Sequence, residues 1–224
     1  MTAFRGRVLA IEGLNHVAAD QDPFILALNH SQGPEAVLVP TWLCFHRGGR
    51  MVHFMADWNF LLYPVLGWII RLHEPIVVMR KEAKPRFLNR LRPWFEPSRT
   101  PFAAAKEFLK DGRSVGIFPE ATVNHHPTQL LRGQLGVSRL AVESQVPVVP
   151  GGIRFPQHRG EAPIGNEEPF TIHFGPALMP PARENNPRRA ATLFHEQIMS
   201  AISTLSGKQW QPLARRTKYA FPKA

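Results

Sequence analysis

Cysteine, acidic residues and long apolar runs are all scarce in this 224-residue sequence. The single cysteine, Cys44, cannot form an internal disulfide, which favours a reducing compartment. A membrane-spanning helix needs about 20 consecutive apolar residues, but the stretch that comes nearest, residues 60–70, contains Pro64 and Gly67. The first seven residues also contain no apolar core of a signal peptide. The sequence therefore predicts a cytoplasmic protein, and excludes a disulfide-rich secreted domain and a membrane-spanning protein.

Basic residues outnumber acidic ones by 27 to 17, which gives a formal net charge of +10. Hydrophobic residues make up 44% of the chain, enough for a globular domain with a core. The basic surplus favours anionic partners, which are acidic lipid, nucleic acid, or phosphorylated or acidic carrier substrates. The alternative is a solvated basic surface with no partner.

Apolar runs that alternate with amphipathic segments predict both strands and helices. The predicted strands are residues 7–12, 23–28, 51–55, 76–79, 114–118, 146–153 and 170–174, and the predicted long helices are residues 34–45, 100–110, 134–144 and 187–205. Strands that alternate with helices indicate an α/β fold. We therefore expect a single domain over residues 1–206, with a mixed, mostly parallel central sheet flanked by helices. A basic C-terminal tail is expected at residues 207–224.

A histidine follows the predicted strand at residues 23–28, and a carboxylate follows the histidine. His30 lies just after the strand end, where α/β folds place their chemistry. Glu35 lies in the first turn of the predicted helix, where it can accept the Nδ1–H of His30 and leave Nε2 free to take a proton. Of the ten histidines, only His30 has an acid five positions later. A structural histidine remains the alternative unless a second motif supports the pair.

Residues 80–99 differ in character from the rest of the chain, with seven basic and two acidic residues. Apolar side chains are interleaved with the basic ones, and prolines prevent a single regular helix. This mixture is typical of an element that lies on a membrane surface. It also suits the stacking of single-stranded nucleic acid, and an irregular connection with a small satellite core is a third interpretation. We predict peripheral contact with an anionic membrane, on its cytoplasmic face, and no nucleic-acid partner.

A second polar loop follows the predicted strand that ends at Phe118. It contains Pro119, Glu120 and Thr122, so a carboxylate and a hydroxyl again follow an apolar strand. Such a loop presents backbone N–H groups and polar side chains to a bound group. An ordinary strand-to-loop turn has the same composition, so this loop alone decides nothing.

Together the two loops resemble the motifs of the glycerolipid acyltransferase family, whose best-known members are 1-acylglycerol-3-phosphate acyltransferases. In that family N-H-x4-D follows one strand and F-P-E-G-T-R follows another, and the corresponding residues here are 29–35 and 118–123. Residues 58–67, 76–80, 131–141 and 146–150 also resemble the family's segments around these motifs. The resemblance covers about residues 5–180. Two motifs in this order are far more specific than either one alone.

The resemblance implies transfer of a fatty acyl group from acyl-CoA or acyl-carrier protein to a hydroxyl of a lysophospholipid or a related lipid. It implies that His30 is the general base and that Glu35 orients it, without an acyl-enzyme. The thioester is a co-substrate, and neither a cofactor nor a metal is expected, since His125 and His126 alone are a poor ligand set. The expected substrate-binding residues are Asn29, Arg80, Phe118, Pro119, Glu120, Ala121, Thr122 and Arg132.

Four positions depart from the family's pattern. Glu35 replaces an aspartate, and Ala121 replaces a glycine. Val123 replaces the arginine that binds the acceptor's phosphate in the family, and Asp57 replaces a lysine. Asp57 is instead expected to cap the helical segment that begins at Trp58. The loss of two cations leaves two hypotheses for the acceptor: lysophosphatidate bound through other arginines, or a hydroxylated lipid without a phosphate.

Two functions of other classes fit the same residues. A hydrolase would use the His30–Glu35 pair to activate water, and turnover of a thioester without an acceptor would identify it. A basic lipid- or nucleic-acid-binding module with a vestigial site would bind its ligand equally well after His30→Ala and would turn over no thioester. The intact pair argues against this second alternative.

Overall fold

The computed structural model of the chain describes residues 6–182 and 186–212. The strands within these residues are β1 (Val8–Glu12), β2 (Ile25–Leu28), β3 (Val52–Asp57), β4 (Ile76–Val78), β5 (Ser114–Ile117), β6 (Val148–Arg154) and β7 (Phe170–Phe174). The α-helices are α1 (Glu35–His46), α2 (Pro64–Leu72), α3 (Pro101–Lys110), α4 (Gly136–Ser144) and α5 (Pro187–Ser206). Two longer 3-10 segments are Trp58–Leu62 and Arg86–Phe95.

The strands form one sheet in the order β1-β7-β6-β2-β5-β3-β4. Every neighbouring pair is parallel except β6 and β7, which are antiparallel. The predicted α/β fold with a mixed, mostly parallel sheet is therefore confirmed. Because β2, β3, β5 and β6 run in the same direction, their carboxyl ends lie at one edge of the sheet. The loops that follow β2 and β5 carry the two sequence motifs, so this edge brings the motifs together.

Helices cover both faces of the sheet. On one face α3, α4 and α5 bury a cluster that includes Val115, Val137 and Ile198, and on the other face α1 buries a cluster that includes Leu26 and Leu38. All four residues of β2 are buried, which explains why this strand is a continuous apolar run rather than an alternating one. None of the helices in the described part of the chain is long and apolar enough to cross a bilayer.

Two predicted helix caps have different outcomes. The sequence offers Ser98 or Thr100 as the cap of the helix predicted at residues 100–110, and the structure uses Thr100, whose Oγ1 accepts a hydrogen bond of 3.2 Å from the backbone N–H of Ala103. The prediction that Asp57 caps the segment from Trp58 is wrong. Both carboxylate oxygens of Asp57 accept from the backbone N–H of Lys81 at 3.2 Å. The reason is tertiary, since β4 lies beside β3 and brings this donor to the carboxylate.

The first residues of the predicted tail pack against the domain. Gly207 ends α5 in the left-handed conformation, with φ of 70°, which glycine adopts without strain. The backbone N–H of Gln209 donates to the carbonyl of Thr128 at 2.7 Å, and that of Leu130 donates to the carbonyl of Gln209 at 2.8 Å. Residues 213–224 lie outside the described residues, so the tail there stays a prediction.

Candidate active site

The loop after β2 brings His30 and Glu35 into direct contact. Glu35 is the first residue of α1, and its Oε2 lies 2.9 Å from Nδ1 of His30. The same oxygen accepts the backbone N–H of Ser31 at 2.8 Å. The side chain of Glu35 has no exposed surface, and that of His30 is 12% exposed. When Nδ1 carries the proton donated to Glu35, Nε2 is left as the nitrogen that can accept a proton.

Two further histidine–carboxylate pairs are present that the sequence did not indicate. Glu168 pairs with His158 at 2.7 Å, and Glu12 pairs with His173 at 2.9 Å. Their members are ten and 161 positions apart, so no local spacing signals them. The carboxylate side chains of these pairs are 28% and 68% exposed, whereas that of Glu35 is fully buried. A carboxylate screened from water interacts more strongly with an imidazolium, so the pair after β2 is best suited to base catalysis.

Glu120, in the loop after β5, holds the backbone of His30. Its Oε1 accepts the backbone N–H of His30 at 3.1 Å, and its Oε2 accepts from the backbone N–H of Leu131 at 2.8 Å and from Nδ2 of Asn124 at 2.7 Å. Burial raises the pKa of Glu120 above its ordinary value, while these hydrogen bonds and Lys208 oppose the increase. This geometry favours a supporting role for Glu120, and direct contact with substrate stays a prediction.

The remaining residues of the second motif surround the imidazole. The ring of Phe118 stacks on that of His30, with centroids 4.3 Å apart and planes inclined by 21°. Ala121 has φ of 56° in the left-handed region, which glycine adopts without strain. This conformation gives a physical reason for the glycine in the family's pattern. Pro119 and Thr122 lie in the same loop, and their contact with substrate stays a prediction.

Asn29 lies beneath the site, where it joins β2 to β6. Its Oδ1 accepts the backbone N–H of Ile153 at 2.7 Å, and its Nδ2 donates to the carbonyl of Ile153 at 3.1 Å. Only 1% of Asn29 is exposed. Substrate binding by Asn29 stays a prediction, but these contacts favour a role in fixing the end of the strand that carries His30.

The two predicted arginines, Arg80 and Arg132, lie on other segments than the loop that contains His30. Arg80 follows β4, which is three strands from β2 in the sheet, and three strand spacings amount to about 14 Å. The carbonyl of Arg132 accepts hydrogen bonds of 3.1 Å from Nε2 of His195 and from Nε1 of Trp210. The side chains of both arginines are exposed, and binding of substrate by them stays a prediction.

Sequence reasoning missed Lys208, which lies beside the His30 loop. It is 4% exposed, and its Nζ donates to Oγ of Ser31 and to the carbonyl of His126, at 2.7 Å each. Nothing local in the sequence distinguishes this lysine from the other basic residues near the C-terminus. Only the packing of the residues after α5 reveals it.

A cavity of about 520 Å³ lies at the carboxyl end of β6. His30 does not line this cavity, whereas Lys208, which contacts the His30 loop, does. Other lining residues include Arg154, Phe155, His158 and Ile164. Among residues 6–182 and 186–212, no three histidine, cysteine or acidic side chains form a group that could hold a metal ion.

Comparisons with known proteins identify the family and a shared fold. The family model described as Acyltransferase matches residues 8–154. No curated protein matches the chain significantly. Among solved structures, the chain is similar to the 1-acyl-sn-glycerophosphate (LPA) acyltransferase PlsC from Thermotoga maritima, with a TM-score of 0.57 and 20% sequence identity. The match covers 90% of this chain and 73% of that chain, and at this identity it establishes a shared fold.

Proposed function

Because the chain belongs to the acyltransferase family, whose model matches more than half of its length, and is an acyltransferase, we propose a specific reaction for its site. The site transfers a fatty acyl group from acyl-CoA or acyl-carrier protein to a hydroxyl of a lysophospholipid or a related lipid. The observation that carries the proposal is the contact of 2.9 Å between Nδ1 of His30 and the buried carboxylate of Glu35. The shared fold with a protein titled an LPA acyltransferase supports the lipid acceptor.

In the proposed mechanism, Nε2 of His30 takes the proton of the acceptor hydroxyl as its oxygen attacks the thioester carbonyl. Glu35 holds Nδ1–H and stabilises the imidazolium that forms. The tetrahedral intermediate then collapses, the carbon–sulfur bond breaks, and the thiolate takes the proton from Nε2. The products are the acylated lipid and the free thiol, so the reaction needs no nucleophilic side chain, no cofactor and no metal.

Base catalysis accounts for only part of the rate enhancement. A positioned base typically contributes about 10²–10⁴-fold, and alignment of the two substrates and stabilisation of the oxyanion supply the rest. The hydrogen bonds that Glu120 accepts from His30, Leu131 and Asn124 fix the two motif loops relative to each other. This rigidity supports the proposal, because a base displaced by 1 Å loses much of its effect.

The acceptor is tested by supplying one acyl thioester with either lysophosphatidate or a hydroxylated lipid without phosphate. Val123 and Asp57 remove two cations of the family's pattern, and a buried phosphate needs charged or multiple N–H partners. We therefore expect lysophosphatidate to be the poorer acceptor, with a kcat/KM that Val123→Arg increases. Release of thiol, together with mass spectrometry of the acylated lipid, measures both.

Three other outcomes of this assay would redirect the proposal. If lysophosphatidate is much the better acceptor and Arg80→Ala or Arg132→Ala raises its KM, the phosphate site uses those arginines instead. Thiol release that is independent of any acceptor would identify a hydrolase. If no thioester is turned over while lipid binding survives His30→Ala, the chain is a binding module.

An exposed apolar surface lies beside the active edge of the sheet. The segment Trp58–Leu62 follows the carboxyl end of β3, and α2 comes directly after it. The exposed apolar side chains of α2 are Val65, Trp68 and Leu72, with exposed fractions of 72%, 62% and 55%. Trp94, which is 83% exposed, belongs to the 3-10 segment Arg86–Phe95, which reaches α2 where the guanidinium of Arg71 lies 5.7 Å from the ring centroid of Phe95. The three on α2 are spaced at i, i+3 and i+7, so they share one helix face. We name these four side chains the apolar patch.

Basic side chains accompany the apolar patch, since Arg86, Arg90 and Arg92 of the segment Arg86–Phe95 are exposed. An apolar face with basic neighbours fits an anionic bilayer surface, as on the cytoplasmic leaflet. We propose peripheral docking of this surface, which would hold the active edge near a lipid acceptor. Phe95 is excluded from the patch because it packs against Trp58, with ring centroids 5.9 Å apart.

Replacing Trp68 and Trp94 together with serine is expected to weaken liposome binding about 100-fold or more, because each buried aromatic side chain contributes about 1.5–3 kcal/mol. Co-sedimentation with vesicles should rise with the fraction of anionic lipid and fall with added salt, since part of the attraction is Coulombic. The matched control is Leu193→Ser, which removes an exposed apolar side chain from α5 (52% exposed). Binding that is absent or independent of salt would return residues 80–99 to the interpretation of an irregular connection.

A further inference from the structure

Lys208 is a buried ammonium group that the proposed mechanism does not use. It lies outside residues 8–154, which the family model matches. Its Nζ donates to Oγ of Ser31 and to the carbonyl of His126, both at 2.7 Å. Ser31 follows His30 directly, and its backbone N–H donates to the catalytic carboxylate Glu35 at 2.8 Å. The ammonium is therefore separated from the His30–Glu35 pair by a single residue.

Two glycines, Gly152 and Gly207, allow the chain to place Lys208 at this position. A side chain at Gly152 of β6 would lie 2.1 Å from the backbone of Leu205, so only glycine lets the end of α5 approach β6 this closely. Gly207 then turns the chain in a left-handed conformation, with φ of 70°. The next residue is Lys208, and the backbone of Gln209 forms hydrogen bonds with the backbone of Thr128 and Leu130. The position of the ammonium is thus determined by backbone contacts on both sides.

The charges around Lys208 explain what the ammonium does there. Glu120 is 1% exposed and Glu35 is 0% exposed, so two carboxylates are buried close to the imidazole. Both act electrostatically on Lys208, Glu120 more strongly than Glu35. Burial lowers the pKa of Lys208, and these two carboxylates oppose the decrease. Two buried anions without a cation would carry a large desolvation penalty.

Other groups that face Lys208 contribute less charge. The loop after β5 contributes His126, whose carbonyl accepts from Nζ, and the loop after β6 contributes the ring of Phe155, whose centroid is 5.9 Å from Nζ. Burial lowers the pKa of His126, Lys208 lowers it further, and Glu161 opposes both. Glu35 and Glu120 are thus the two anions that act on the ammonium.

We propose that Lys208 is a positioning residue, whose ammonium binds Ser31 and the His126 carbonyl, partly offsets the charge of the two buried carboxylates Glu35 and Glu120, and thereby holds the His30 loop in its reactive geometry. The inference rests on the proposed acyl transfer. The two oxygens of Glu120 accept three N–H donors, from His30, Leu131 and Asn124, and this favours the ionised form because a proton on either oxygen would compete with these donors. Lys208 lowers the pKa of Glu120 against the effect of burial. Loss of the ammonium lets Glu120 take up a proton at higher pH, and the loop then loses its anchor.

The experiment measures kcat and kcat/KM of acyl transfer against pH for Lys208→Gln, Lys208→Met and Lys208→Arg. The glutamine variant retains an N–H donor for Ser31 and the His126 carbonyl, so it separates the charge from the hydrogen bonds. In the two neutral variants we expect kcat at neutral pH to fall about tenfold or more. The acidic limb of the profile should move up by about one pH unit or more, the usual effect of one nearby charge.

Lys208→Arg should retain the wild-type acidic limb and extend activity to higher pH, because a guanidinium keeps its charge where a buried ammonium loses it. The control is Lys110→Met, which removes an exposed ammonium at the end of α3. Circular dichroism and thermal unfolding establish which variants are folded.

A folded Lys208→Gln protein with the wild-type pH profile would overturn the inference and leave the acyltransferase proposal intact. If neither neutral variant folds, the Lys208→Arg variant provides the test. An alkaline limb of its pH–rate profile that is identical to that of the wild type would overturn the inference. A wild-type protein without transfer activity towards any acceptor would instead refute the proposed function.

Discussion

His30→Ala is expected to lower the kcat of acyl transfer about 10²–10⁴-fold, the usual contribution of a positioned base. We expect no substitute base from Glu35, because its carboxylate is buried and contacts Nδ1 of His30. Thiol release from an acyl thioester in the presence of acceptor measures the effect. Wild-type rates in a folded variant would refute the role of His30.

A second substitution, His30→Asn, separates loss of the base from loss of stability. His30→Ala removes one of the two hydrogen bonds that Glu35 accepts within the described residues and leaves that of the Ser31 N–H, and loss of a partner from a buried carboxylate is destabilising. His30→Asn offers an amide N–H near the position of Nδ1 but cannot accept a proton, so it should be as inactive as the alanine variant and more stable. His173→Ala is the matched control, since His173 also pairs with a carboxylate, Glu12, but is at the far strands of the sheet. It should retain transfer activity.

Glu35→Gln is expected to lower kcat about 10²–10⁴-fold while the protein stays folded. In the wild type, one oxygen of Glu35 accepts both the Nδ1–H of His30 and the N–H of Ser31. A glutamine carbonyl at that position retains both hydrogen bonds but lacks the charge that stabilises the imidazolium. A reversed amide would hold the imidazole in the wrong tautomer and oppose the Ser31 donor. Both orientations therefore reduce the rate.

Glu35→Asp should retain more activity than Glu35→Gln, because the charge is kept and aspartate is the residue of the family's pattern. Glu12→Gln is the control, since it neutralises a carboxylate that pairs with a histidine outside the site. Steady-state kinetics of the three proteins test the order. Equal activity in the wild type and both Glu35 variants would mean that Glu35 only stabilises the start of α1 through the helix dipole.

The fold class and the contact between His30 and Glu35 were both predictable from the sequence, because each depends on short-range patterns. The buried run Ile25–Leu28 and the strand Ser114–Ile117 are apolar segments that end in polar loops. His30 and Glu35 are five positions apart across a single strand-to-helix turn. Such separations leave the chain few ways to place the two side chains, so their contact follows from local geometry.

Roles that depend on contacts between distant segments were not predictable from the sequence. Asn29 is in the motif, yet its amide pairs with Ile153, 124 positions away. Asp57 was predicted to cap the next helical segment, but β4 brings the N–H of Lys81 to its carboxylate. At Asn29 the donor is the buried backbone N–H of Ile153, which must be satisfied, and at Asp57 the donor is placed by the neighbouring strand.

By itself, then, the sequence determined the parallel α/β architecture, the His30–Glu35 pair and the loop that contains Glu120, since periodicity and short spacings encode them. Only the tertiary structure decided that Glu120 anchors the backbone of His30, across 90 positions. It also decided that Lys208 reaches Ser31 across 177 positions. A long-range contact depends on how the sheet and α5 pack together, and the order of residue types along the chain does not by itself indicate that packing.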